Sequence, residues 1–278
     1  MSTTTAGAPL RAKVIFALWG IALGYSIFLM IQGTSTLVSW EAHGVLNVCF
    51  LSAFAIIHGI ARYRTRDFIV FFIISFVTSN VFENIGILTG FPFGNYHYTD
   101  ILGVKLFLVP VLIGPAYFAA GYLAWTLAQT LLGLWTTRLR GRDVFLVPMV
   151  AAFIMVAWDV CMDPISSTVQ RHWIWHDGGG YFGVPLRNFA GWYLCVYTCN
   201  QIFALYVSRT DAADVAPRPA FPKTFWYPAV LMYAGLALGM PILALFGSNV
   251  PVTDQSGRTW ATGDIYRSMA LVSLFMAV

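Results

Sequence analysis

Charge is scarce in this sequence. Only 10% of its 278 residues are Asp, Glu, Lys or Arg, against roughly a quarter in an ordinary soluble domain. That deficit excludes a conventional water-solvated surface. The formal net charge of +4 is weak ground for a nucleic-acid partner, and none is expected. Cysteine is also rare: Cys49, Cys161, Cys195 and Cys199 fall inside or at the ends of expected helices. They have no paired spacing in a loop, which argues against a disulfide framework or zinc site and for ordinary packing. The lysines, Lys13, Lys105 and Lys223, all sit at helix ends, which excludes a retinal Schiff base deep within a span. Five histidines in all are too few for the several histidine boxes of a membrane di-iron oxygenase. His172 and His176 form an HxxxH pair that would suit a metal only if helical, so no metal is expected.

What fills the sequence is apolar: 58% of the residues are hydrophobic. A hydrocarbon core about 30 Å thick needs about 20 apolar residues in a helix, which satisfies its own backbone. Spans are expected near Val14–Ile31, Val45–Ile60, Phe68–Leu88, Leu106–Trp135, Val144–Met162, Phe189–Val207 and Phe225–Phe246. An eighth apolar segment begins near Ile265 and is too short for a full crossing, as a tilted or truncated helix would be. The expected fold is therefore all-α, a polytopic transmembrane bundle of about seven or eight helices forming one integral membrane domain over residues 1–278. Arg11, Lys13, Arg62, Arg64, Arg66, Arg138, Arg140, Arg142, Arg209, Arg218 and Lys223 lie at the N-terminus and in alternate loops. The positive-inside rule places those segments in the cytoplasm, in a multi-pass protein of the inner membrane. The first apolar run follows two basic residues but no small-residue cleavage site, so it reads as a retained span rather than a signal peptide.

The segment Thr210–Lys223 joins two spans on the basic side and is short. The long connections Gly90–Lys105 and Asp163–Asn188, on the opposite side, are rich in Gly and aromatic residues, a composition for tight turns and packed rings. They share a faint likeness between Gly90-Phe-Pro-Phe-Gly-Asn-Tyr96 and Gly180-Tyr-Phe-Gly-Val-Pro-Leu-Arg-Asn-Phe189, consistent with a repeated helix pair.

Ionisable groups inside membrane helices are expensive, so each needs a reason. Glu83 and Asn84 lie in the last turns of the third span, Asp159 and Asp163 at the end of the fifth. Spacing i, i+4 puts the two aspartates on one helix face. Lys105, Arg187 and Asn188 arrive at the same level from the other side of the loops, with His97 and Trp158 nearby. Capping and buried ion pairs, such as Arg187 with a carboxylate, are the bland reading. So many polar groups at one depth exceed what capping demands and favour a functional site. Pro164 is placed to end the fifth helix.

The string Glu83-Asn-Ile-Gly-Ile-Leu-Thr-Gly-Phe-Pro-Phe-Gly-Asn-Tyr-His-Tyr98, then Trp158-Asp-Val-Cys-Met-Asp-Pro164, Trp173-Ile-Trp175 and Gly179-Gly-Tyr-Phe-Gly-Val-Pro-Leu-Arg-Asn-Phe-Ala-Gly-Trp192 resembles the membrane-bound carotenoid hydratase family. The resemblance covers the third to sixth spans. It implies addition of water to the terminal isopropylidene double bond of an acyclic carotenoid, through a tertiary carbocation, with no cofactor. The partners implied are the carotenoid and membrane lipid, and nothing in the sequence bears on oligomeric state. Asp159 or Asp163 would be the general acid, with its neighbour orienting it. Glu83, with Asn84 or Asn188, would hold the attacking water. Trp158, Tyr96, Trp173, Trp175 and Tyr181 would face the cation, His97 and Asn188 would line the substrate, and Arg187 would balance the carboxylates.

Two other readings stay open. The same acid serves a carotenoid or isoprenoid cyclase, isomerase or prenyltransferase; for the last, Asp159-x-x-x-Asp163 is half of the magnesium–diphosphate requirement. A lipid or small-solute transporter would continue its polar residues to the cytoplasmic side, and the inner halves of these spans carry few.

Overall fold

The computed structural model describes residues 7–34, 40–135, 138–213 and 221–277. Arg218, one of the basic residues assigned above to the cytoplasmic side, lies outside the described residues. The chain builds helices α1 (Gly7–Thr34), α2 (Trp40–Arg62), α3 (Thr65–Thr89), α4 (Ile113–Leu131), α5 (Asp143–Asp163), α6 (Leu186–Ala213), α7 (Lys223–Phe246) and α8 (Thr262–Ala277). Its strands are short: β1 (Tyr96–Tyr98), β2 (Lys105–Leu106), β3 (Val109–Pro110), β4 (Trp173–Trp175), β5 (Pro251–Thr253) and β6 (Thr259–Ala261). The all-α membrane bundle expected from the sequence is the fold observed.

Five segments are long and apolar enough to cross a membrane: Leu10–Ile31, Ala42–Arg62, Thr65–Thr89, Asp143–Val169 and Lys223–Phe246. The remaining helices differ for physical reasons. Helix α4 lies at the centre, with every residue from Tyr117 to Gln129 buried, against α2, α3 and α5. Protein rather than lipid surrounds it, so it accommodates Tyr122, Thr126 and Gln129 among the small residues Ala119, Ala120, Gly121, Ala124 and Ala128. Helix α6 turns Asn188 and Asn200 inward, both buried. Helix α8 has 16 residues, about 24 Å at 1.5 Å per residue, and rests on α7 and α5.

One expectation needs correction. The fourth span does not begin at Leu106: β2 and β3 pair there as a hairpin, with Leu106 opposite Val109 and Phe107 in the left-handed region at φ 57°. Pro110 has no N–H to give a helix, so the helix starts at Ile113, with Pro115 in its first turn, where proline is tolerated. Pro164 ends the α-helical part of the fifth span, as expected: α5 stops at Asp163. The chain continues through a wider π turn over Pro164–Val169, with Gln170 N–H donating to Ile165 O at 2.8 Å.

At the basic end, Arg62 occupies the last turn of α2 and is buried. Its guanidinium lies 4.7 Å from the Tyr63 ring centre and 4.4 Å from that of Trp226, and it donates to Gln129. At the opposite end, the connections after α3 and after α5 meet. Strands β1 and β4 pair antiparallel, Tyr96 with Trp175, His97 with Ile174 and Tyr98 with Trp173. The two Gly- and aromatic-rich loops are thus halves of one ribbon.

Phe93, just before β1, locks that ribbon to the bundle. Its ring fits between α3 and α6 because both helices present glycine: a Cβ at Gly86 would stand 2.7 Å from the ring, and one at Gly191 2.8 Å. Gly86→Val and Gly191→Val are each expected to lower stability by about 1–3 kcal/mol through overpacking. Thermal unfolding in detergent checks this, and Phe93→Leu should recover part of the loss in either variant.

Candidate active site

A period of two along a strand puts alternate side chains on one face. In the ribbon this sends Tyr96, Tyr98 and Trp175 to the buried side, with Trp173 half-buried among them, while His97 faces out. Rings face one another across the strands, with centroids 4.9 Å apart for Tyr96 and Trp175 and 5.9 Å for Tyr98 and Trp173. This aromatic face roofs a cavity of about 220 Å³, whose wall includes Phe93, Trp158, Trp192, Tyr117, His172 and Asn188.

Glu83, buried in the last turns of α3, lies in that wall. Three phenols donate to its carboxylate: Tyr117 from α4 to Oε1 at 2.7 Å, and Tyr98 and Tyr96 from the ribbon to Oε2, the former at 2.9 Å. Burial, with the Glu83 charge second, pushes the Tyr96 and Tyr98 phenols well above their ordinary value, so both remain donors. Trp192 stacks on Tyr117 at 4.5 Å and 7°.

Asp159 and Asp163 share one face of α5, as the spacing predicted, and both are fully or almost fully buried. Asn188 Nδ2, from the first turn of α6, donates to Oδ2 of both, at 3.2 Å to Asp159 and 2.5 Å to Asp163. Asp163 Oδ1 also accepts from Trp173 Nε1 at 2.9 Å. Asp159 Oδ1 and Asn188 Oδ1 have no hydrogen-bond partner among the described residues. The aspartates do not themselves line the cavity; Asn188 and Trp173, bonded to them, do.

Other expected site residues lie elsewhere. Asn84 pins the β2–β3 hairpin to α3, accepting from Leu108 N–H at 3.2 Å and donating to Asn80 O at 2.8 Å. Tyr181 packs on Phe182 and Phe189 outside the cavity wall. Arg187 is exposed, and its ion pair is to Asp177 at 3.8 Å rather than to a buried carboxylate. His97 is on the outer face of the ribbon, where its Nδ1 meets His176 Nε2 at 3.0 Å. The HxxxH pair is split because Trp173–Trp175 is a strand: His172 is buried in the cavity wall and His176 is exposed. Among the described residues, no group of three or more His, Cys, Asp or Glu could hold a metal.

The sequence reading missed Tyr98, Tyr117 and Trp192. Tyr98 had a signal in the alternation Tyr96-His97-Tyr98, whereas nothing local marks Tyr117, which reaches Glu83 across 34 positions.

The His97–His176 contact makes the roof sensitive to acid. Partial desolvation, then the charges of His176 and Lys105, push His97 below its ordinary 6.5, with Asp100 opposing. A group lowered in the fold contributes stability that is present above the unfolded value and lost as pH falls through the folded one. The protection of the Thr99 amide, which bonds across the strands to His172 O at 3.0 Å, should therefore fall, after correction for the intrinsic exchange rate, as pH drops below about 6.5, the reference histidine value. His176→Gln should flatten that dependence, and equal slopes in both proteins would contradict the account.

A model of the family described as carotenoid biosynthesis protein matches residues 43–253. Over 180 residues the chain is 27% identical to the bisanhydrobacterioruberin hydratase of Haloarcula japonica, a match covering 62% of this chain and 59% of that protein's length. No solved structure matches.

Proposed function

Because this chain belongs to the carotenoid biosynthesis protein family, we propose that it is a membrane hydratase. It adds water to the terminal isopropylidene double bond of an acyclic carotenoid and leaves a tertiary alcohol. The observation that carries this reading is the buried set of three carboxylates beside an aromatic-walled cavity at one end of a membrane bundle. The hydratase from Haloarcula japonica supports the reaction class by its similarity. A cavity of about 220 Å³ is below the roughly 300–1,000 Å³ that takes in a whole drug-sized ligand. It suits the tip of a long chain whose remainder stays among helices and lipid.

The hydrogen bonds divide the roles. Asp163 accepts from Trp173 and Asn188 and is the oriented partner. Asp159, with one contact at 3.2 Å and Oδ1 unpartnered, gives up the proton. Asn188 stands between this pair and the cavity, and its Oδ1 accepts a hydrogen from water. The proton passes through that water to the less substituted alkene carbon, and the π pair becomes the new C–H bond. The tertiary cation lies against Trp158, Trp173 and the tyrosine rings, with Glu83 as counter-charge. Three donors already occupy Glu83, so its role is electrostatic. Water then bonds to the cation, and its surplus proton returns to Asp159, restoring the enzyme. The basic end of the bundle faces the cytoplasm and the ribbon the outer side of the inner membrane.

Expression in a lycopene-producing host tests the reading. A pigment heavier by one water is expected, whereas an unchanged mass with altered absorption would mean a cyclase or isomerase. Asp159→Asn and Asp163→Asn should each reduce hydration by about 100-fold or more, the scale of general acid catalysis, while the protein still inserts and folds. Near-normal product from both would remove the aspartates from the mechanism. Glu83→Gln should keep the fold and slow turnover by about 10²–10³, as loss of a preorganised electrostatic group does.

A further inference from the structure

The cavity has a second, mainly apolar end. Away from Glu83 and Asn188 its wall includes Leu29 of α1, His43, Gly44 and Asn47 of α2, and Gly239 and Met240 of α7. Gly44 is the unusual member. Glycine inside a helix costs about 1 kcal/mol relative to alanine, and membrane helices ordinarily recover that through close packing at the glycine. Gly59 does so against Phe68, Gly114 against Phe76 and Gly235 against Ser26. A Cβ at Gly44 would meet nothing within 4 Å among the described residues. Helical Gly20 and Gly121 share that openness, but Gly20 is exposed on the outer surface and Gly121 is not in the cavity wall. Packing against the described residues therefore does not account for the glycine at 44, which lies in the cavity wall.

We propose that a conjugated polyene, held by its tip beneath the ribbon, runs across Gly44 on its way out to lipid, and that Gly44 sets what passes. A planar conjugated chain cannot bend around a side chain, so the residue it crosses must present a flat backbone surface. The ligand class rests on the hydratase reading; the position of the passage rests on the cavity wall.

The test uses the full chain in lipid nanodiscs, with lycopene as the probe. Trp158, Trp173, Trp175 and Trp192 line the cavity, so saturable quenching of tryptophan fluorescence reports occupancy. Hydration is assayed on the same samples. Gly44→Phe is expected to raise the half-saturating lycopene concentration at least about tenfold, a change of roughly 1.4 kcal/mol, with Gly44→Ala intermediate. Thermal unfolding should remain near wild type, because no described residue lies within 4 Å of the added Cβ. Gly20→Phe, on the outer surface, should bind as wild type. Unchanged binding in Gly44→Phe, or an equal loss in Gly20→Phe, overturns the proposal. Wild type that binds without hydrating, with the Gly44 effect intact, overturns the reaction and supports the passage. Absence of saturable binding by wild type overturns both. If Gly44→Phe does not accumulate, Gly44→Cys in a Cys49→Ser background decides: lycopene should slow thiol labelling at position 44, and unchanged labelling rejects the passage.

Discussion

The Glu83 carboxylate and its three phenols hold the working end of this protein together. A carboxylate taken out of water loses several kcal/mol of solvation, and hydrogen bonds to a charged group return roughly 1.5–3 kcal/mol each. Three such bonds are what bring the two sides into balance. Their donors come from separate parts of the chain, Tyr117 on α4 and Tyr96 and Tyr98 on the ribbon. Satisfying one buried charge therefore fixes the roof against α3 and the central helix together. With the roof in place, Trp173 reaches Asp163, and the second carboxylate group is tied to the first through the same ribbon.

The rest of the bundle follows from which surface each helix meets. The helices facing lipid expose large apolar side chains such as Phe16, Ile73 and Phe153. The central helix, screened from lipid, carries tyrosine, threonine and glutamine on a framework of small residues. The polar groups are accordingly concentrated at the protected interior and the two ends. At the basic end Arg62 is stacked between rings. At the other end the carboxylates are held by phenols, an indole and an amide. These solutions to burial differ in consequence: Arg62 is enclosed by its partners, whereas Glu83 lines an accessible cavity and the aspartates are bonded to Asn188 and Trp173 in its wall. That difference favours chemistry at the ribbon end.

Much of this was legible beforehand. Hydrophobic run length located α1, α2, α3, α5 and α7, because a membrane helix must match the hydrocarbon core whatever its neighbours are. The i, i+4 spacing correctly placed Asp159 and Asp163 on one face. The start of α4 was misread because Leu106–Val111 is as apolar as a helix, and the turn at Phe107 and the strand-ending Pro110 outweigh composition there. Pro164 ends the α-helical turns of α5 as its missing N–H requires, and the wider π turn that follows it has no sequence signal of its own. Arg187 and His97 were assigned by depth alone. Depth does not distinguish the inside of the ribbon from its outer face.

The sequence by itself determined that this is a membrane bundle with its carboxylates at one end, because both follow from local rules of length, charge and helical period. Only the tertiary structure decided which groups meet: that Tyr98 and Tyr117 clamp Glu83, that Asn188 bridges the aspartates, that His176 faces His97 instead of His172, and that Gly44 borders open space. Each of those pairings joins residues distant along the chain or depends on which way a strand faces. Packing and the need to satisfy every buried polar group select them, and no local pattern encodes either one.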